Sequence, residues 1–477
     1  MDAIDAAAWR RVPLAEAVLT LWRFVADKER LEDLFERERH RCYTKILEFH
    51  ILVQLMHDAL LVYRGSGRQT FEHAKEAGRL LVSIQAAFRK LGRIPIGLSE
   101  GFLAEGTDRL REVFPQSTLR PVPPSLQEFR VIVFDGKAAK HVAKRLKPLR
   151  GRVGGVLGGR MLVAMDFQSG LAVAMCADRD GDANDVKFVP QLLPEVRRRF
   201  AGPRLHLADR QFADLVQTAH FTQEGDHFLV RYNKKTHFHA DESRTPRHGR
   251  DALGRKFVED WGWIGRPTDK RRRTVRRITL HRPGEDDIVL LTDLVDAQKY
   301  PAAELLTIYA ERWGIERMFQ QVTEVFHLAT LIGGSPEATI FQFAFCLLLY
   351  NQIQVIRAYV AAQQARDTET ISLELLFVDV QRELIAWNVV VTEEVPVDYF
   401  PKTNAEEVRS HLHRLLDGVW TDRWIKSVNA KRRCHKPQAR AKTHGCVYRI
   451  LNGIKSKSKS KSRSKSKPQV KTKAQDV

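Results

Sequence analysis

The chain has 477 residues, 43% of them hydrophobic, enough for a sizeable buried core and about three domains. Its formal net charge of +20 points to a polyanionic partner, and five cysteines without a paired spacing exclude a small disulfide-built scaffold. The charge is uneven: from Lys431 to Val477 there are 16 Lys and Arg against one acid, Asp476, so the tail carries +15 of the +20.

Cys42, Cys176, Cys346, Cys434 and Cys446 fit a reducing cytosol. Cys434, His435, His444 and Cys446 lack the C-x-x-C pairs of a zinc site. The start, Met1-Asp2-Ala3-Ile4-Asp5, has no basic segment followed by an apolar run, so no signal peptide is expected. The most apolar stretch, Ile340 to Val360, contains Gln342, Asn351, Gln352, Gln354 and Arg357; it reads as a buried helix rather than a membrane span.

In chain order, residues 13–114 are expected to be helical. Pro13 suits a first helical position, and Leu14, Val18, Leu21, Trp22, Val25 and Leu31 recur at helical spacing. Breaks are expected at Gly65-Ser66-Gly67 and around Pro95. Pro121 to Pro124 marks a boundary. Arg130 to Gly136 then reads as a buried strand with an acid, Asp135, at its end. Residues 159–166 and 171–177 form a hairpin around Gln168-Ser169-Gly170. A helix over 184–199 precedes a strand over 204–209 that again ends in an acid, Asp209. A short helix over 213–222 and a strand over 227–232 follow. Three strands, helix, strand, helix, strand suit an α/β domain with a mixed sheet, as in ribonuclease-H-like folds. Residues 234–300 read as a mostly β insertion, and one long helix is expected over 302–325. Ser335-Pro336-Glu337 is a helix start. Lys455 to Lys467 alternates basic residues with Ser and has no means of forming a core, so disorder is expected there.

Cutting a phosphodiester requires an activated oxygen nucleophile and a stabilised leaving oxygen. Two divalent ions about 4 Å apart supply both, and Mg²⁺ takes carboxylate oxygens. Acids at the ends of neighbouring strands, with one more on a facing helix, would converge as such a site demands. Asp135, Asp209 and Glu316 are the candidates. On an ideal helix Tyr309, Arg312 and Glu316 share one face, so the carboxylate can hold metal while Arg312 pairs with a phosphate. The plain alternative is an i,i+4 ion pair. Asp166 ends a strand before a hairpin turn, and Asp178, Asp180 and Asp182 read as solvated loop acids.

At this point the sequence resembles the DDE transposases of bacterial insertion sequences, the insertion-sequence-four group with its Tyr-x2-Arg-x3-Glu-x6-Lys signature. Tyr309, Arg312 and Glu316 match the first three positions. Asp135-Gly136 resembles the first-Asp region, Ala208 to Phe212 the second, and Gly181 to Asp185 a stretch between them. The likeness covers roughly residues 30–450. It departs at the signature Lys, where Thr323 stands; His327, one turn on, is a candidate substitute. The family Lys is implicated in contact with DNA phosphate.

The resemblance implies a ribonuclease-H-like catalytic core interrupted by a β insertion, with helical N-terminal and C-terminal regions. The corresponding division is 1–120 for a helical DNA-binding region, 125–233 for the first part of the core, and 234–300 for the insertion. It continues with 301–365 for the catalytic helix region, 366–430 for C-terminal helices, and 431–477 for the basic tail. It implies Asp135, Asp209 and Glu316 as catalytic metal ligands, Mg²⁺ with Mn²⁺ able to substitute, and double-stranded DNA at transposon ends and targets as partner. A homodimer on DNA, a cytoplasmic, nucleoid-associated location and no membrane are expected. Tyr309, Arg312, Lys140, Lys144, Arg145, Trp261, Trp263, Arg272 and Arg273 are the DNA-contact candidates. The two Trp are the candidates for stacking on a flipped base; side-chain packing is their plainer role. Lys140 to Arg152 and Lys270 to Arg277 are candidate phosphate tracks or solvated faces. Two other readings stand beside this one: a transposase-derived DNA-binding protein without catalysis, favoured by Thr323, and a ribonuclease-H-like resolvase.

Overall fold

A computed structural model describes residues 12–40, 42, 46–139, 146–152, 155–266, 268, 271–326, 328, 332–390, 404–426 and 443–454. Six helices come first: α1 Pro13–Val25, α2 Lys28–Glu38, α3 Phe49–Leu61, α4 Gly67–Glu76, α5 Ile84–Leu91 and α6 Ile96–Glu112. Pro13 occupies the first turn of α1, where its missing N–H costs nothing. Ser66 and Ser83 cap α4 and α5 with their side chains.

The sheet strands follow: β1 Arg130–Ala138, β2 Gly155–Leu157, β3 Arg160–Asp166, β4 Ala172–Asp178, β5 Arg204–Ala208 and β6 His227–Arg231. Helix α7 Val189–Arg199 precedes β5, and α8 Leu215–Phe221 precedes β6. The region after β6 gives β7 Phe238–Ala240, β8 Arg247–Arg250, β9 Lys256–Ile264, β10 Arg273–Leu280 and β11 Ile288–Thr292. One sheet runs β4-β3-β1-β5-β6-β11-β10-β9-β7, with β8 also paired to β9. β1, β5 and β6 are parallel to one another; β3 and β4 are antiparallel on one side, and β11, β10 and β9 on the other. The strands of residues 234–300 therefore prolong the central sheet across the β6–β11 ladder, instead of standing beside it as a separate layer. Leu290, Leu291 and Thr292 of β11 are buried like the core strands they extend.

Behind the sheet come α9 Ala302–Ala310, α10 Trp313–Glu324, α11 Pro336–Gln363, α12 Leu373–Val390 and α13 Ala405–Leu415. Ser335 caps α11 and Pro336 opens it, as the sequence foretells. α11 is the one described helix long and apolar enough to cross a membrane, and its apolar window is wholly buried within the protein. Its amides explain how. Asn351 accepts the Ala172 N–H and donates to Ala172 O and Thr107, Gln352 donates to Val18 O, and Gln342 accepts the Ile332 N–H. Each of these buried amides is thus matched by a backbone or side-chain partner. α11 packs on α6 and α1, while α6 packs on β4. The N-terminal helices and those after β11 consequently make one helical layer. Glu383 of α12 accepts the Leu14 and Ala15 N–H groups at 2.8 and 3.1 Å, capping α1 from 368 residues away.

A single helix over 302–325 does not form. The chain breaks between α9 and α10, with i→i+3 bonds from Arg312 N to Tyr309 O, Gly314 N to Glu311 O and Ile315 N to Arg312 O. Each residue in such a turn rotates about 120° instead of about 100°, so Tyr309 and Glu316 no longer share one straight face. A last pair of elements, β12 Thr443–Cys446 and α14 Val447–Leu451, had no signal in the pattern; β12 pairs in parallel with β2.

Candidate active site

The run Val131-Ile132-Val133-Phe134 is β-branched and aromatic, fully buried, and sits mid-sheet between β3 and β5. Its register with β5 pairs Val133 with Leu207, so Asp135 and Asp209 stand level, each two residues further on. Neighbouring strands lie about 4.8 Å apart. Two carboxylates therefore emerge side by side where the parallel β1–β5 pairing ends; β1 does not stop at Asp135, as the sequence led one to expect, but runs on to Ala138 against β3. β5 does stop, because Asp209 turns the chain into a short 3₁₀ turn over Arg210–Phe212.

Helices α9 and α10 bring the third acid. Tyr309, 6% exposed, donates its hydroxyl to Ala208 O at 3.2 Å, pinning the end of α9 to the residue before Asp209. α10 packs on β1 through an apolar face that includes Ile315, Met318, Phe319 and Val322. Glu316 lies in its first turn, half-buried, where the helix dipole favours a negative charge. Its Oε1 accepts from Arg312 Nη2 at 2.7 Å. The Arg312 guanidinium is buried and lies 5.9 Å from the Tyr309 ring centre and 5.7 Å from that of Trp313; its Nε and Nη1 have no hydrogen-bond partner.

The electrostatics tie the set together. Burial pushes the Asp135 carboxyl up to about 6; Arg312 and the Gly136 N–H, 2.9 Å from Oδ1, oppose that, while Glu316 and Asp209 push it further up. Both other acids are therefore close enough to repel Asp135, and the buried cation between them is Arg312. Burial also raises the Tyr309 phenol. A buried carboxylate that feels two others, beside a guanidinium with two unmet donors, makes a donor set suited to divalent cations and phosphate oxygens. The set is open. Among the described residues, the group with ligand atoms all within 4.8 Å of one another is Glu32, Glu48 and His50. Those acids are already engaged, Glu32 by the His50 backbone and ring and Glu48 by Lys28 and His50.

A buried network behind the two aspartates was not legible in the sequence. Asp185, 1% exposed, forms a bidentate ion pair with Arg160 and accepts from Gln211 Nε2 at 2.9 Å. Its carboxylate packs on Gly136, where a Cβ would overlap it. Asp185 thereby links the strand after Asp135 to the turn after Asp209. Gly181 to Asp185 was singled out by resemblance, yet no periodicity marked Asp185 as buried.

The remaining candidates divide. Asp166 pairs with Arg130 and accepts from Ser169 in the hairpin, a turn role. Asp180 and Asp182, expected to be solvated, meet Arg449 of α14 at 2.6 and 3.5 Å, and hydrogen bonding to Arg449 helps hold the Asp180 carboxyl low against burial. Cys446 accepts from Gly181 N at 3.0 Å, so its sulfur is occupied by the fold. Trp261 is 7% exposed with its indole N–H on Val295 O, which makes it a packing residue rather than a base-stacking one. Trp263 is half-buried, stacks on His239, and has Arg272 over its ring at 5.7 Å. Arg272 and Arg273, with Arg271, Leu215, Val216 and His220, line a pocket of about 560 Å³ between α8 and the start of β10. Arg276 and Arg277, in the same basic run, instead pair with Glu259 and Asp260 inside the sheet. Lys147, Arg150 and Arg152 are exposed. Lys140, Lys144, Arg145, Lys270, His327, Cys434, His435 and the Lys-Ser tail lie outside the described residues, and so does the side chain of His444.

A family model described as the transposase DDE domain matches residues 112–352, from the end of α6 to the middle of α11, taking in all three acids. The chain belongs to that family. As a DDE transposase it acts on DNA by phosphoryl transfer, and such enzymes generally use divalent metal ions. No curated protein matches it. Among solved structures, this transposase is similar at 10% identity and a TM-score of 0.39 to one titled "Cryo-EM structure of piggyBac transposase synaptic complex with hairpin DNA", over 86% of this chain and 88% of that one.

Proposed function

We propose that this is the transposase of a bacterial insertion sequence of the insertion-sequence-four group. It binds the element's terminal inverted repeats, cuts them, and joins the freed 3′-hydroxyl to target DNA by a cut-and-paste route. Asp135, Asp209 and Glu316 hold Mg²⁺, with Mn²⁺ able to substitute. The observation that carries this is the level emergence of Asp135 and Asp209 from two parallel strands, with Glu316 close enough to disturb the Asp135 carboxyl. Two bound divalent ions would activate the attacking oxygen and steady the leaving one.

The chain's own groups do the rest. Glu316 would hold metal through its carboxylate, and the unmet Nε and Nη1 of Arg312 are placed to take a phosphate oxygen. Tyr309 holds the Asp209 turn through Ala208 O. Arg271, Arg272 and Arg273 offer a second phosphate contact, and Trp263 an aromatic face beside it. The strand order β4-β3-β1-β5-β6 supports a ribonuclease-H-like core. A homodimer pairing two ends, in the bacterial cytoplasm at the nucleoid, completes the reading.

DNA binding without cutting is the second reading. The Thr323 hydroxyl, bonded to Phe319 O at 2.7 Å in its own helix, favours it. One assay separates the two: cleavage of duplexes carrying the inverted repeats that flank the gene, in Mg²⁺, by wild type and by Asp135→Ala, Asp209→Ala and Glu316→Ala. We expect cutting by wild type alone. Equal cutting by all four removes the triad assignment; specific binding with no cutting by any favours the second reading.

A further inference from the structure

Lys137 follows Asp135 by two residues on β1, so both side chains leave the strand on one face. Its Nζ lies 3.5 Å from Phe319 O and 5.4 Å from the centre of the Phe319 ring. Phe319 is one helical turn beyond Glu316 on α10. The same carbonyl oxygen accepts the Thr323 hydroxyl. The ammonium of a strand residue and the side chain at position 323 thus meet at one backbone atom, on the turn of α10 that follows the third acid. A lysine at 323 would project from that same turn.

The charge balance gives the site a use for this group. Asp135, Asp209 and Glu316 carry up to three negative charges, against the one guanidinium of Arg312. A DNA strand adds one more negative charge per phosphate. Lys137 is half-buried, on a long flexible stem, beside the turn that bears Glu316. An ammonium is a point charge that accepts any phosphate orientation within reach. A phosphate oxygen carries a negative charge that a carbonyl oxygen lacks, so it competes well for the ammonium against the long 3.5 Å contact to Phe319 O.

We propose that Lys137 is a DNA-contacting residue of the active site, holding a non-bridging oxygen of the phosphate adjoining the bond that is cut. Its role is to supply from β1 the cation that Thr323 does not supply from α10. This rests on the transposase reading above.

The test uses the full chain and four variants: Lys137→Ala, Lys137→Arg, Lys137→Ala with Thr323→Lys, and Asp135→Ala. Binding of an end duplex is followed by fluorescence anisotropy in EDTA across a salt series. Cutting and joining are followed in Mg²⁺ with the same duplex and a plasmid target. Lys137→Ala should weaken binding and lower the slope of log affinity against log salt by about 0.9, the value for one phosphate contact. It should slow cutting about 10- to 100-fold, with its melting temperature close to that of wild type. Lys137→Arg should keep most activity, and Thr323→Lys should restore the slope and much of the rate. If Lys137→Ala matches wild type in slope and rate while Asp135→Ala is inactive, the inference fails and the transposase reading stands. If Lys137→Ala loses stability and Thr323→Lys restores nothing, Lys137 is a strut between β1 and α10, and the inference fails again. If wild type does not cut at all, both fall.

Discussion

Replacing Asp135 by Asn should make the metal-free protein more stable at neutral pH, although it removes the first acid of the site. The Asp135 carboxyl is raised from an ordinary 3.8 to about 6, by burial first and then by Glu316 and Asp209. A rise of about two units, at 1.36 kcal/mol each, makes the ionised form about 2–3 kcal/mol unfavourable in the folded state. At pH 4 the folded-state carboxyl is neutral and costs nothing. Between about pH 4 and 6 the unfolded chain ionises while the folded carboxyl keeps its proton, so the penalty builds there, and above about pH 7 it is complete. Asn keeps the acceptor for the Gly136 N–H and removes the charge. The difference between the Asp135→Asn and wild-type melting temperatures should therefore be small at about pH 4 and grow to about 2–3 °C by about pH 8 in EDTA. Adding Mg²⁺ should stabilise wild type and close the gap, since a ligand of the native state alone stabilises it. Thermal melts across pH, with EDTA and with Mg²⁺, make the check. Parallel curves in EDTA at every pH would refute the claim that three acids crowd one another here.

Other substitutions probe the frame around the acids. Gly136→Ala forces a methyl onto the Asp185 carboxylate, which Arg160 and Gln211 hold in place. A loss of about 3 kcal/mol and of cutting is expected, and denaturant melts showing no change would reject the Asp185 link. Trp261→Ala should cost about 3–5 kcal/mol with a cavity left in the sheet. Trp263→Ala should instead weaken DNA binding at little cost in stability; the reverse ranking would overturn their separation. Glu383→Ala uncovers two N–H groups of α1 and should cost about 1–3 kcal/mol by denaturant titration.

What could be read ahead of the structure was whatever repeats locally. The β-branched run before Asp135, the Ser335-Pro336 start and the Pro13 opening each carry their physics within a few residues, and each element forms. Asp209, just past the end of β5, was visible for the same reason; Asp135 was expected to end its strand, yet β1 runs on to Ala138 because β3 keeps pairing with it. Long-range pairing was not. Nothing in residues 234–300 announces that Leu290 to Thr292 will pair with β6, because a strand pattern fixes its faces and not its neighbour. The break after Tyr309 escaped because its one compositional mark, Gly314, is also found inside helices, and a run of i→i+3 bonds leaves no other. Lys137 and Asp185 looked like ordinary charged residues; only the approach of α10 to β1 and of Arg160 to Gly136 gives them their places.

The capping of α1 by Glu383 has a bearing on synthesis. Helix α1 receives its cap, and its cover from α11 and α12, only after those much later segments have been translated. Contacts so far apart in sequence close late and slowly. A nascent or prematurely terminated product therefore lacks the scaffold on which the three acids are mounted, and a cell producing such fragments is spared a half-made nuclease.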